Sequence, residues 1–188
     1  MNSKSILETI NPKGHLEIIK VYNDGTTELV LDDHNIITDG MGSTLASLFA
    51  SEDTTTSFDN YTLAYFQIGE TSGTMNSTRT ALVNPLEEAQ YGNTSLTVSS
   101  HLDSAGTTLD FVHINPSQVS KITNTKVTYS LVLDEDTANG LDLEEIGLFS
   151  KNPTLSTPSK SFLCAYRSFS AVSKNDSFAL VLKWTIEF

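Results

Sequence analysis

Residues 177–188 constrain what this chain can fold into more than any other stretch. Phe178, Leu180, Leu182, Trp184, Ile186 and Phe188 are large and apolar at every second position, and only Val181 among the intervening residues is neither small nor polar. Side chains on a strand alternate between two faces, so this period of two predicts a β-strand with all six on one buried face. A helix would scatter them around its circumference. Chain ends fray unless they are tied into a sheet or docked, so the segment is expected to belong to the core.

Such a strand needs partners, and the rest of the chain supplies them. Residues 16–22 and 26–31 flank Asn23-Asp24-Gly25, and Asp-Gly between two β-rich runs predicts a hairpin. Residues 34–38 read as a further extended segment that Asp39-Gly40 breaks. Met41, Leu45, Leu48 and Phe49 then recur at helical spacing, predicting one short amphipathic helix over about residues 41–50. Beyond the polar stretch 51–60, strands are expected at 61–68, near 94–100 and 107–114, at 127–133 and over 161–169. Residues 1–14 are polar and read as a flexible N-terminal arm before a single domain over 15–188. Many short strands, regular turn signals and one helix predict a mainly-β fold, an antiparallel β-sandwich.

Composition narrows the function classes. A chain of 188 residues suits one domain with a sizeable core. Its net charge of −12, without a basic run, repels phosphate backbones, so a nucleic-acid partner is not expected. No apolar stretch approaches the ~18 residues of a membrane span, and residues 1–14 lack the apolar core of a secretory signal. The single cysteine, Cys164, rules out an internal disulfide and the multi-cysteine zinc patterns. It lies in an apolar run and reads as a small buried hydrophobe.

Candidate chemistry is sparse. Counting from Asp134, Glu145 falls at position twelve of a calcium-loop pattern, but position six is Asn139, where such a loop turns on glycine. The turn 134–140 therefore reads as a solvated hairpin tip. Asp32-Asp33-His34 are consecutive and cannot all face one point in an extended chain, so they read as a hairpin end. His15, His34, His101 and His113 show no metal-ligand spacing. The pairs Glu87-Glu88 and Glu144-Glu145 put neighbouring carboxylates on opposite strand faces, so neither forms an acid/base dyad. The turn from Gly69 to Gly73 has no phosphate-binding lysine, and no nucleophile elbow occurs. Tyr61, Tyr65, Phe66 and Tyr91 fall in or near expected loops, where they could stack on sugars. No catalytic, cofactor-binding or metal-ligating residue is assigned, and neither an enzyme nor a cofactor is expected.

Several segments carry a resemblance by their order: the hairpin; Leu31-Asp32-Asp33-His34-Asn35-Ile36-Ile37-Thr38-Asp39-Gly40-Met41-Gly42 and the helix after it; Ala64-Tyr65-Phe66-Gln67-Ile68-Gly69-Glu70-Thr71-Ser72-Gly73-Thr74; Thr80-Ala81-Leu82; Leu143-Glu144-Glu145-Ile146-Gly147-Leu148-Phe149; Lys174-Asn175-Asp176-Ser177; and Lys183-Trp184-Thr185-Ile186-Glu187-Phe188. Together they resemble a group of tailed-bacteriophage virion proteins described as tail-fibre, collar, neck or baseplate components. The resemblance covers roughly residues 15–188. It departs from the group at the glycine turn, where Gly69 and Gly73 stand further apart than in the usual Gly-x-Gly-Thr, and segment 84–125 has no counterpart.

The resemblance implies a non-enzymatic structural protein of the virion, made in the host cytoplasm and assembled as a symmetric homo-oligomer with other virion proteins. Tail, neck or collar, baseplate and fibre attachment are the positions it implies. The alternative is a receptor- or carbohydrate-binding domain of a fibre, meeting host-surface glycan through loops 51–60, 84–93 and 101–106, or a head decoration protein. An arm that orders on a neighbouring copy would suit ring assembly.

Overall fold

The computed structural model describes residues 11–50, 61–92, 95–151 and 160–188. The expected loop at 51–60, the prolines 153 and 158, and residues 1–10 of the expected arm lie outside these. The first hairpin is β1 (Lys13–Tyr22) and β2 (Thr27–Ile37), followed by helix α1 (Asp39–Ala50) and β3 (Leu63–Gly69). A single helical turn, α2 (Glu88–Tyr91), precedes β4 (Val98–Asp103), β5 (Thr108–His113) and the short β6 (Val119–Lys121). The chain continues through β7 (Lys126–Leu133), β8 (Asp142–Lys151), β9 (Lys160–Ser173) and β10 (Phe178–Glu187). Strand β1 takes up Lys13 and Gly14, two residues of the expected arm. Neither helix is long and apolar enough to cross a membrane.

All ten strands join in one sheet, in the order β4-β5-β3-β8-β9-β2-β1-β10-β7-β6, antiparallel at every step. The sheet folds over between β9 and β2, where only Ile36 and Ile37 pair with Tyr166 and Ala165. This makes two layers, the expected β-sandwich. The layer β9-β8-β3-β5-β4 curls until β4 meets β9 again in a short parallel contact, Leu102 with Lys160 and Asp103 with Ser161.

The terminal alternation decides the core. Phe178, Leu180, Leu182, Trp184 and Ile186 are all buried, packed with Leu16 and Ile18 of β1 and Leu131 of β7. Facing them from the other layer are Phe66, Ile68, Val112, Ile146 and Leu148. The sixth residue breaks the pattern: Phe188 is 45% exposed, because it lies past the last paired residue, Glu187. The outward face of β10 is polar and cross-linked, with Thr185 and Thr128 hydroxyls 2.7 Å apart and Lys183 3.1 Å from Glu17. Surface ion pairs of this kind contribute ~1 kcal/mol or less.

The turn 23–25 forms as expected, with Gly25 at φ +84° and the Asp24 carboxylate accepting the Thr26 amide at 2.8 Å. Two boundaries differ. Asp32-Asp33-His34 lie inside β2, not at a hairpin end, because pairing with β1 continues to Asn35. Asp39-Gly40 begin α1 rather than interrupt the chain. The Thr38 hydroxyl bonds the Leu163 carbonyl, and a Cβ at Gly40 would collide with that same carbonyl. Glycine here lets the first turn of the helix press onto β9.

Candidate functional site

A groove of about 710 Å³ runs between α1 and the end of the sandwich. Met41, Thr44, Leu45 and Leu48 form its helical wall, and residues 61–65 and 113–114 the opposite one. Tyr129, Val119 and Phe188 close the side formed by β7, β6 and the end of β10. Its size suits a drug-sized ligand or a short peptide segment. Phe188 is 45% and Val119 36% exposed, and Phe49, one turn beyond Leu45 on the helix, is 73% exposed. Isolated exposed apolar side chains are ordinary, but a contiguous set marks a contact surface.

Tyr65 and His113 in the groove wall also belong to a polar junction on β4 and β5. The Ser99 hydroxyl lies 2.6 Å from His113 Nε2 and 2.9 Å from His101 Nε2. Both rings pack on Tyr65, with centroids at 5.0 and 4.5 Å. Ser99 and His113 have the separation of a nucleophile and its base. However, the one hydroxyl is shared by two imidazoles, with the donor at each contact set by the ring tautomers. Burial holds both imidazoles below their ordinary 6.5, aided by Lys151 and, for His101, by His113. A depressed imidazole pKa adds stability that is present above the ordinary value and lost as pH falls through the folded one. We expect Tm to fall as pH drops below 6.5. The double variant His101→Gln/His113→Gln should flatten that slope, and an unchanged slope would assign it to other groups.

The second buried junction involves Glu145, which the sequence offers as half of an unproductive pair and as position twelve of the failed calcium-loop pattern. It is fully buried on β8. Its Oε1 accepts the amides of Val83 at 2.7 Å and Asn84 at 2.9 Å, and its Oε2 accepts the Tyr166 hydroxyl at 2.8 Å. That hydroxyl in turn accepts the Gly73 amide at 2.9 Å, and Arg79 lies 4.5 Å above the Tyr166 ring. Burial raises the Glu145 carboxyl above the usual range, opposed by the bonds from Asn84, Tyr166 and Val83 and by Arg79. Glu145 thus pins both ends of the segment that follows β3 across the outer face of β8. A Cβ at Gly147 would sit 2.7 Å from Leu82 and Leu163 carbons, so that segment lies flush against the strand. Glu144 also holds this segment, its Oε2 accepting the Ser72 amide at 3.0 Å.

The acidic turn 134–140 contains its own cation. Lys174 is buried, and its ammonium lies 2.9 Å from the Asn175 carbonyl, 3.1 Å from Asn139 Oδ1 and 3.5 Å from the Glu135 carbonyl. Burial lowers its pKa against the pull of Asp134, Glu135, Asp136 and Asp176. The carbonyl and amide oxygens that would face a calcium ion face an ammonium instead. The turn is therefore less solvated than its sequence suggests: Thr137 and Ala138 are buried. Lys174→Met is expected to cost about 2–4 kcal/mol, because it strands buried acceptors, and urea unfolding measures it. A loss below ~0.5 kcal/mol would show that the ammonium merely fills space.

Other candidates do not converge. His15 pairs with Asp32 at 2.5 Å, Asp33 with Arg167 at 2.8 Å, and His34 stacks edge-on against His15. Among the described residues no three His, Cys, Asp or Glu side chains gather in a metal-binding arrangement. The Glu88 backbone amide donates to Asp110 Oδ2 at 2.9 Å, while Glu87 opens α2. Phe66 and Tyr91 are wholly buried in the core instead of exposed in loops, and Leu86 and Tyr91 anchor the otherwise largely exposed segment 84–92 to that core. Asp103 is buried and holds the Thr107 amide at 2.8 Å, tightening the 101–106 turn. Cys164 is fully buried, with its thiol pushed up to about 11 by burial, and is inert as expected. Only Tyr61 and Tyr65 of the four aromatics reach the groove.

Compared with known proteins, the chain matches no family model, no curated sequence and no solved structure.

Proposed function

We infer that this chain is a non-enzymatic assembly component of a tailed-phage particle, placed in the tail, neck or collar, baseplate or fibre attachment. The observation that carries the reading is the apolar groove with Phe188 and Val119 exposed in its lining. A surface of this kind suits protein–protein contact. The resemblance of the ordered motifs supplies the phage setting, and those motifs have evident structural work. Asn35 holds Trp184, Glu145 clasps the segment after β3, and Lys174 fills the acidic turn. The net charge of −12 agrees with a partner that is protein rather than nucleic acid.

The test has two parts. Light scattering on the purified full chain should give a defined multimer, and immunogold microscopy with an antibody to the full chain should label one axial position on purified particles. Particles without label, with the chain confined to the lysate, would overturn the reading.

A further inference from the structure

We propose that the groove beside α1 receives residues 1–10 from a neighbouring copy of the chain. This rests on the assembly reading and names the partner of that surface. Three independent features point to this occupant.

The first is chemistry. The segment contains Ile6, Leu7 and Ile10, three large aliphatic side chains within five positions. The groove they would enter is walled by Leu45, Leu48, Val119 and Phe188. Ten extended residues span up to ~35 Å, enough to leave one copy and lie along the groove of the next.

The second is charge. The whole chain carries −12, so two copies repel, yet residues 1–10 hold one lysine, Lys4, against one glutamate, Glu8, and so no net side-chain charge. Among the described residues no Asp or Glu lines the groove, whose ionisable walls are Lys151, His113 and tyrosines. A neutral segment entering such a groove is a contact that mutual repulsion opposes little.

The third is position. Asn11 and Pro12, where the segment joins the fold, line a separate shallow cleft with residues 34–37. That cleft shares no lining residue with the groove. Donor point and acceptor groove are thus different patches of one chain, as a head-to-tail interface that closes into a ring requires.

Disulfide trapping in the full chain tests this directly, because the native Cys164 is buried and does not compete. Leu7→Cys and Val119→Cys are made as separate variants and mixed under mild oxidant. A crosslinked dimer at least ~10-fold above either variant alone is expected, since docking raises the local thiol concentration. Crosslinking no better than the single variants would overturn the proposal and leave the groove to a different partner. So would a dilute Leu7→Cys/Val119→Cys chain that closes on itself as a monomer. Light scattering on Leu7→Asp separates this from the assembly reading. A lower mass is expected, whereas an unchanged multimer refutes arm exchange while leaving assembly intact.

Discussion

Replacing Trp184 by alanine is expected to lower stability by about 4–6 kcal/mol, the largest effect of any single substitution considered. Two terms combine. Removing a fully buried indole leaves a cavity at the centre of the sandwich, ~3–5 kcal/mol in well-packed cores. The indole Nε1–H also donates to Asn35 Oδ1 at 3.0 Å, and Asn35 is itself buried against Gly14. Its stranded oxygen adds ~1–3 kcal/mol before the site relaxes. Against a domain stability of ~5–15 kcal/mol, such a loss unfolds a large part of the population at 37 °C. Urea denaturation of Trp184→Ala and Trp184→Phe separates the terms, since phenylalanine retains most apolar volume but donates no bond. Equal losses in the two variants would contradict the assignment.

Glu145→Ala is expected to cost about 3–5 kcal/mol, with a local signature that Trp184→Ala lacks. The substitution leaves the Val83 and Asn84 amides and the Tyr166 hydroxyl without their acceptor, while relieving the cost of burying a carboxylate. The first term dominates because three donors, of which the Tyr166 hydroxyl is fully buried, lose one partner. Hydrogen exchange should show the amides of Gly73, Val83 and Asn84 released while those of β10 stay protected. Glu145→Gln, which keeps an acceptor oxygen, should restore most of that protection. Uniform acceleration across the chain would mean that the segment after β3 has no local stability of its own. The ionisation of Glu145 acts in the opposite sense to the histidines. Its raised pKa makes its contribution complete below the ordinary 4.5 and lost as pH rises through the folded value.

The alternating residues of β10 and the Asp-Gly hairpin were legible because each depends on local period or turn chemistry alone. Both formed where the pattern places them, as did the helix, two residues longer at its start. Phe188 was not legible: its spacing matches its neighbours, yet past the last ladder pair its amide still bonds the Thr125 carbonyl at 2.9 Å while its side chain is 45% exposed. The roles of Glu145 and Lys174 were hidden for a related reason. A period assigns a side chain to a face, but a buried charge survives only through partners distant in sequence, here Val83 and Asn139. Lys174 stands ~40 positions from the three consecutive acids of that turn, so no local signal joined them. The groove had no local signal either, because it is assembled from α1, β3, β5, β7 and the end of β10. The curl that brings β4 back to β9 rests on two residue pairs across more than fifty positions and leaves no local trace.

The placement of β10 bears on how the protein is made. It is the last of the ten strands in chain order, yet it lies in the middle of its layer, between β1 and β7. Until it emerges from the ribosome, β1 and β7 each present a bare edge that invites pairing with other nascent chains, although β2 can already join β9. Folding of this layer therefore waits on the emergence of β10, with slow closure of distant pairings after it. Every product that terminates before residue 178 carries the same two open edges, which makes incomplete chains a specific hazard on crowded polysomes.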